Sequence, residues 1–185
     1  NRKELRRIPL RIVVLPVGAA DMKVLGEIQS GLSRVFQGST CVLSEGVLPI
    51  SVNAYNFSRR QYISTRILSD VHTYAEKTEA GVEKAYRILG VTDVDIYAAG
   101  LNFVFGEAEC PGKAALISFS RLRPEFYGES ADETLFHERA LKEAVHELGH
   151  TLGLRHCGDP LCVMYFSLHI GMTDRKRLSL CPVCS

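Results

Sequence analysis

Three histidines in the last quarter of the chain have a spacing that a helix followed by a sharp turn can bring together. His146 and His150 are four residues apart, so on a helix they lie one turn from each other on the same face. Gly153 allows the chain to reverse, and His156 can then return to the same point. Three imidazoles arranged in this way can bind one zinc ion. The fourth position then stays open for water, which separates a catalytic zinc from a structural one.

The residues around these histidines predict the helix that carries two of them. Apolar residues recur there at three- and four-residue spacing, as on the core-facing side of a helix. They are Leu141, Ala144, Val145, Leu148 and Leu152. Asp132 is a suitable N-cap, Glu133 places an acid in the first turn, and Gly153 is a suitable stop. We therefore predict a helix over residues 132–152. The competing interpretation is a solvated helix that carries the histidines by chance.

Glu147 follows the first of these histidines and can act on water at the metal. Zinc on neutral imidazoles lowers the pKa of its bound water to roughly 7. A carboxylate at this position can accept the proton of that water and later deliver it to a leaving amine. The pattern predicts metal-assisted amide hydrolysis with Glu147 as the general base. The alternative is a zinc-containing peptide- or protein-binding module with little turnover, which would not need this carboxylate.

Four of the six cysteines form two pairs after the histidine motif. They are Cys157 and Cys162, then Cys181 and Cys184. Four thiolates form a common structural zinc site, and the two-residue spacing of the second pair lets both sulfurs face one ion. Residues 157–185 are too few to bury a core of their own, so a metal, a disulfide or a partner surface is expected there. Disulfides and a redox-active second pair remain alternatives. Cys41 and Cys110 receive no role.

The histidine motif and the cysteines together resemble one known family. His-Glu-x-x-His-x-x-Gly-x-x-His, followed by a methionine in a Met-turn, is the metzincin signature, and Met164 stands at the place of that methionine. A cysteine directly after the third histidine, with more cysteines around the methionine and beyond it, resembles the archaemetzincins. The resemblance covers about residues 140–184, and Phe103–Gly106 and Arg121–Pro124 are also similar to family members.

The resemblance implies a zinc metallopeptidase with two zinc ions per chain, one catalytic and one structural. His146, His150 and His156 would bind the catalytic zinc, Glu147 would be the general base, and Met164 would form the Met-turn beneath the metal. The structural zinc would be bound by Cys157, Cys162, Cys181 and Cys184.

Apolar periodicity along the rest of the chain predicts strands and helices in mixed order, which is an α/β arrangement. Strands are predicted at residues 8–17, 41–49, 94–98, 101–107 and 114–119, and helices at 21–36, 63–75 and 79–89, before the 132–152 helix. This order agrees with the metzincin-like zincin fold, a mixed twisted sheet layered with helices. The resemblance divides the chain into an N-terminal subdomain, residues 1–155, and a small C-terminal subdomain, residues 156–185, that carries the Met-turn and the four cysteines.

In metzincins an antiparallel edge strand lines the cleft between the two subdomains and pairs with extended substrate, and residues 101–107 would be that strand here. Adding a peptide strand is a recognised use of an exposed edge. The alternative is a protected edge that binds nothing.

Some metzincins also carry a tyrosine two residues after the methionine. Phe166 stands there in this chain, so no tyrosine ligand is assigned. Glu143 either orients the His146 ring or lies in solvent.

Composition and charge exclude several other classes of function. The chain has 185 residues, 22 basic and 21 acidic side chains, which gives no support for a nucleic-acid partner. No run approaches the ~20 apolar residues of a membrane span.

Residues 2–15 superficially resemble a signal peptide, but a first buried strand is favoured. Reduced zinc thiolates without an export signal indicate the cytoplasm. Peptides are the expected partners, either short ones or a narrow set, and a monomer is favoured.

Overall fold

The stretches that are buried along nearly their whole length form the centre of a five-stranded sheet. The computed structural model describes residues 9–78 and 86–185. The strands of this sheet are β1 (Arg11–Pro16), β2 (Thr40–Leu43), β5 (Tyr86–Thr92), β7 (Gly106–Ala108) and β8 (Ala114–Ser118). Burial on both faces is typical of parallel strands covered by helices on each side.

The strand order of this sheet places the short strand β7 at one edge. The order is β2-β1-β5-β8-β7. The first four strands are parallel, with Ile12 opposite Cys41 and Val91 opposite Ile117. Strand β7 is antiparallel to β8, with Glu107 opposite Leu116. A three-stranded sheet lies beside it and consists of β3 (Tyr55–Asn56), β4 (Gln61–Ile63) and β6 (Ile96–Tyr97).

Different helices cover the two faces of the large sheet, because successive strand residues point to opposite faces. The described helices are α1 (Met22–Val35), α2 (Ser64–Thr78), α3 (Glu133–Thr151) and α4 (Ile170–Arg175), with 3₁₀ turns at Val52–Ala54 and Pro124–Tyr127. Ile12 and Ile117 pack in the core that contains α1 and α3. Val13 and Leu116 pack in the core that contains α2. None of the described helices combines the length and the apolar character needed to cross a bilayer.

The α/β fold class is confirmed, and most of the predicted elements are present. The strands predicted at 8–17 and 114–119 correspond to β1 and β8, and the helices predicted at 21–36, 63–75 and 132–152 correspond to α1, α2 and α3. The strand predicted at 41–49 is confirmed only in its first part, since β2 spans Thr40–Leu43. The strand predicted at 94–98 is shorter, since β6 spans Ile96–Tyr97. Helix α3 begins after Asp132, whose side chain accepts a hydrogen bond from the Leu135 N–H at 2.9 Å.

The helix predicted over residues 79–89 is wrong in its second half. Residues 86–89 belong to β5, and residues 79–85 lie outside the described ranges. Strand β5 is buried at every position and therefore lacks the alternation that identifies a half-buried strand. Periodicity alone does not distinguish such an apolar run from a buried helix.

The strand predicted over residues 101–107 is also wrong for most of its length. Residues 98–105 form an irregular loop, in which single backbone hydrogen bonds join Val104 to Ile96 and Phe105 to Ser118, and regular strand pairing is confined to Gly106–Ala108. Side chains from β4 and from the turn that precedes it hold this loop. Arg59 Nη2 donates to the carbonyl oxygens of Leu101 and Asn102, at 3.1 and 2.8 Å. Gln61 Nε2 donates to the Asn102 carbonyl oxygen at 3.0 Å. Carbonyl groups that a strand would pair across the sheet are thus bound by side chains instead.

Candidate active site and metal centres

The end of α3 brings the three histidines together in the way the spacing predicts. After Thr151 the chain enters a left-handed turn at Gly153, whose φ is 87°. The Gly153 N–H donates to the His150 carbonyl oxygen at 2.8 Å, and the Leu154 N–H donates to the Gly149 carbonyl oxygen at 3.1 Å. These bonds close the helix in a glycine C-cap. The chain then returns so that His156 faces the two histidines of the helix.

The ring nitrogens of the three histidines converge on one point. His146 Nε2 lies 3.2 Å from His150 Nε2, and one ligand atom from each of the three rings lies within 4.8 Å of the others. Nδ1 of His146 bonds to the Val163 carbonyl oxygen and Nδ1 of His150 to the Leu154 carbonyl oxygen, both at 2.7 Å. Because a carbonyl can only accept, each Nδ1 carries the hydrogen and each Nε2 keeps its lone pair. This donor set fits a zinc ion.

Burial keeps the three rings in the form that binds a metal. It lowers the pKa of His146 to about 3 and lowers the pKa values of His150 and His156 as well. The imidazoles are therefore neutral at physiological pH, and only a neutral imidazole can give a lone pair to a cation.

Glu147 is a buried carboxylate on the wall of the cavity in front of the histidines. Burial raises its pKa well above the ordinary value, and the Glu143 carboxylate acts in the same direction. Strand β7 lies directly against it. A Cβ atom added at Gly106 would lie 2.6 Å from Glu147 Oε1 and 2.6 Å from the Leu116 carbonyl oxygen. A side chain at position 106 would therefore push β7 and Glu147 apart, and only glycine allows this approach.

Glu143 lies one turn before Glu147 and is buried in an ion pair rather than solvated. Lys176 Nζ donates to Glu143 Oε1 at 2.9 Å, and the Thr173 hydroxyl donates to the same oxygen at 3.0 Å. Lys176 Nζ also lies 3.3 Å from the Tyr165 carbonyl oxygen. Burial alone would raise the pKa of Glu143, but the Lys176 ammonium reverses this and holds the pKa below its ordinary value. Glu143 therefore fastens the segment around α4 to α3.

Replacing Lys176 with methionine is expected to destabilise the fold by about 3–5 kcal/mol, because it leaves the buried Glu143 carboxylate without its charged partner. Urea unfolding at saturating zinc measures the change. The matched control is Lys113→Met, which removes a lysine from an ion pair with Glu76 whose side chains are 41% and 51% exposed. That variant should lose less than about 1 kcal/mol. Equal losses in the two variants would contradict the structural role of Lys176.

The sulfur atoms of Cys157, Cys162, Cys181 and Cys184 form a second cluster, within 4.8 Å of one another. Backbone N–H groups donate to these sulfurs, from Asp159 to Cys157 Sγ and from Cys181 to Cys162 Sγ, both at 3.4 Å. The Cys184 N–H lowers the pKa of the Cys181 thiol to about 7. All four cysteines are free thiols. Their convergence fits a four-thiolate zinc site and differs from an isolated redox pair, which would not gather two further thiols.

The segment that follows Cys162 packs against α3. Met164 is fully buried, and a Cβ atom added at Gly149 would lie 2.5 Å from its Sδ atom. Gly149 stands between the two histidines of α3, so Met164 packs against the helix at the level of the histidine cluster. The ring of Phe166 lies 4.7 Å from the His156 ring, centroid to centroid.

A cavity of about 760 Å³ opens in front of the histidine cluster. Its walls are the 98–105 loop, β7, the end of α3, residues 155–156 and residues 166–168. These walls are held in part by Lys176, Arg59 and Gln61. No sequence motif identified these three residues, because their partners are distant in the sequence. His169 precedes α4 and is not among the described residues that line the cavity.

Comparisons with known proteins identify the family. The profile of Peptidase family M54 matches residues 22–185. The archaemetzincin of Methanocaldococcus jannaschii is 46% identical over 175 residues, which cover 95% of this chain and 90% of that protein. The archaemetzincin of Pyrococcus furiosus is 43% identical over 176 residues, 94% of this chain and 89% of that protein.

Solved structures agree with the sequence relatives. The crystal structure of archaemetzincin from Archaeoglobus fulgidus, complexed with malonate, has a TM-score of 0.76 and 39% identity, and covers 95% of this chain and 98% of that chain. A zinc-dependent peptidase from Methanocorpusculum labreanum has a TM-score of 0.82 and 28% identity, and covers 94% of this chain and 97% of that chain. The predicted family resemblance is confirmed: the chain belongs to Peptidase family M54, the archaemetzincins, and is a zinc metallopeptidase.

Proposed function

We propose that this chain hydrolyses peptide bonds at the cluster of His146, His150 and His156, which hold the catalytic zinc, with Glu147 as the general base. The position of Glu147 carries the proposal. Its carboxylate is buried on the cavity wall, directly after a histidine whose free nitrogen faces the same cavity. A module that only binds peptides would have no use for a buried carboxylate at this point, and burying one is costly.

The residues of the site would have different roles in hydrolysis. A zinc ion held by His146, His150 and His156 would supply Lewis-acid activation of a water molecule and of the scissile carbonyl. Glu147 would accept a proton from the attacking water and donate it to the nitrogen of the leaving amine. Burial raises the pKa of Glu147, which makes its carboxylate a stronger base toward water than an exposed one. The Val163 and Leu154 carbonyls keep the His146 and His150 rings in the correct tautomer.

We propose that the second zinc binds to Cys157, Cys162, Cys181 and Cys184 and stabilises a C-terminal subdomain, residues 156–185, against the N-terminal subdomain, residues 1–155. Two neighbouring pairs in the sequence support a coupling between the metals. Cys157 follows His156 directly, and Cys162 precedes Val163, whose carbonyl oxygen bonds to His146. Metal binding at the cysteines would therefore restrain two of the three histidines.

The substrate that the cavity favours is an extended peptide. Strand β7 is an edge of the large sheet and lines the cavity beside Glu147. A peptide that pairs with this edge would lie between β7 and residues 166–168. Because the 98–105 loop limits the cavity on one side and β7 has three residues, we propose short peptides or a narrow set of sequences as substrates.

Metal analysis combined with a library of short fluorogenic peptides tests this function. We expect two zinc ions per chain and cleavage that disappears when a chelator removes the metal and returns when zinc is added back. Loss of activity on chelation is expected to be complete, because the activated water depends on the ion. Two zinc ions without cleavage of any peptide in the library would support the binding module instead.

A further inference from the structure

Arg155 occupies the cavity wall between the glycine turn and the third histidine of the cluster. Its side chain is exposed and lines the cavity. Within residues 9–78 and 86–185, no hydrogen bond or ion pair holds the guanidinium group. Structural arginines are usually fixed by such partners, as Arg121 is by Asp95 at 2.6 and 2.7 Å. A free guanidinium beside the reaction centre is therefore available to a ligand.

The other charged groups on this wall are carboxylates, and each has a different task. Glu107 accepts hydrogen bonds from the Ser64 and Thr65 hydroxyls. Glu143 is paired with Lys176, and Glu147 is buried beside the histidines. Among the described residues that line the cavity, Arg155 is the only one with a positive side chain. The large apolar side chains of the lining are Leu101, Phe103, Val104, Phe105, Phe166 and Leu168.

The position of Arg155 relative to β7 follows from the contacts of the loop that comes after that strand. Cys110 Sγ lies 3.5 Å from the Leu154 carbonyl oxygen. The Gly112 N–H donates to the Thr151 carbonyl oxygen at 3.1 Å. Arg155 therefore lies at the end of the cavity toward which β7 runs. A peptide paired antiparallel to β7 would have its N-terminal part there, and a parallel peptide would have its C-terminal part there.

We propose that Arg155 binds a carboxylate of the peptide substrate, an inference that rests on the proposed peptidase function of the same site. The guanidinium group presents a planar pair of N–H donors that matches a carboxylate. In the antiparallel arrangement the carboxylate belongs to an acidic side chain that precedes the scissile bond. In the parallel arrangement it is the free C-terminus of the peptide. In the first case Arg155 makes the enzyme selective for peptides with an acidic side chain, and in the second for peptides with a free C-terminal carboxylate. In neither case does Arg155 act on the reacting atoms.

Matched fluorogenic peptides separate the two sources of the carboxylate. One series compares glutamate with glutamine at each position before the scissile bond, and the other compares a C-terminal acid with the amide. We expect wild-type kcat/KM to favour the carboxylate in one series by about tenfold, the usual effect of one hydrogen bond to a charged group. The preference should weaken as ionic strength rises, because an exposed charge is screened by salt.

Variants at Arg155 decide whether this residue carries the preference. Arg155→Gln should remove it while leaving kcat/KM for the neutral peptide within a factor of about two, and Arg155→Lys should keep part of it. Arg34→Gln, the same substitution at an exposed position of α1, should keep all of it. Equal cleavage of charged and neutral peptides by the wild type, or a preference that survives in Arg155→Gln, would overturn the inference and leave the proposed function intact. Failure to cleave any peptide would overturn both.

Discussion

Replacing Glu147 with glutamine is expected to reduce kcat/KM for peptide hydrolysis by roughly 10²–10⁴-fold, the usual contribution of a positioned general base. Glutamine has nearly the same volume as glutamate, so the packing of the side chain against Gly106 is preserved. The amide cannot accept the proton of the water. The three imidazoles are unchanged, so zinc content should stay at the wild-type level.

Steady-state hydrolysis and zinc content, measured on the same samples, distinguish loss of the base from loss of the metal. Glu138→Gln is the matched control, because Glu138 is on the same helix but its side chain is 58% exposed and pairs with Lys142. This control should keep full activity. The melting temperature of Glu147→Gln should not fall below that of the wild type, since a neutral amide is less costly to bury than a carboxylate. A variant that retains zinc and hydrolyses within tenfold of the wild type would mean that another group accepts the proton.

The parts of the site that depend on neighbouring residues are predictable from the sequence. His146, Glu147 and His150 are ordered by the helical repeat, and Gly153 and His156 follow within the next turn. Local hydrogen bonds and one left-handed glycine bring the three histidine positions together. The Asp132 cap of α3 is local as well. The Val163 carbonyl that orients the His146 ring is a distant contact, which the local pattern does not reveal.

The parts that depend on distant residues are not predictable in this way. Lys176 reaches Glu143 across the interface between α3 and α4, and nothing in the local sequence of either residue specifies the partner. Arg59 fixes the 98–105 loop through backbone carbonyls, which every residue possesses, so no side-chain pattern in the loop reveals the contact. Strand β5 is not predictable from the sequence for another reason. Its burial on both faces removes the alternation on which the strand prediction rests.

Replacing Cys162 with serine is expected to remove one zinc ion per chain and to lower both the melting temperature and the activity. Zinc binding by four thiolates contributes roughly 10 kcal/mol or more to folding of such small segments. Loss of only about 4 kcal/mol of this would lower Tm by about 8–16 °C in a chain of this size. Cys162 is 1% exposed, so a serine hydroxyl there would also be buried.

The fall in activity is the result that tests the coupling of the two metals. The Val163 carbonyl oxygen, adjacent to Cys162, accepts the hydrogen bond that orients His146, and Val163 N–H bonds to the Ser179 carbonyl oxygen at 3.2 Å. Disorder in the cysteine cluster should therefore reach the histidine cluster through this segment and reduce kcat at saturating zinc. Cys41→Ser makes the same substitution at a buried cysteine outside the cluster and should keep both zinc ions and full activity. If Cys162→Ser loses one zinc yet matches the wild type in Tm and kcat, the two sites are independent, and the adjacency of His156 and Cys157 has no energetic consequence.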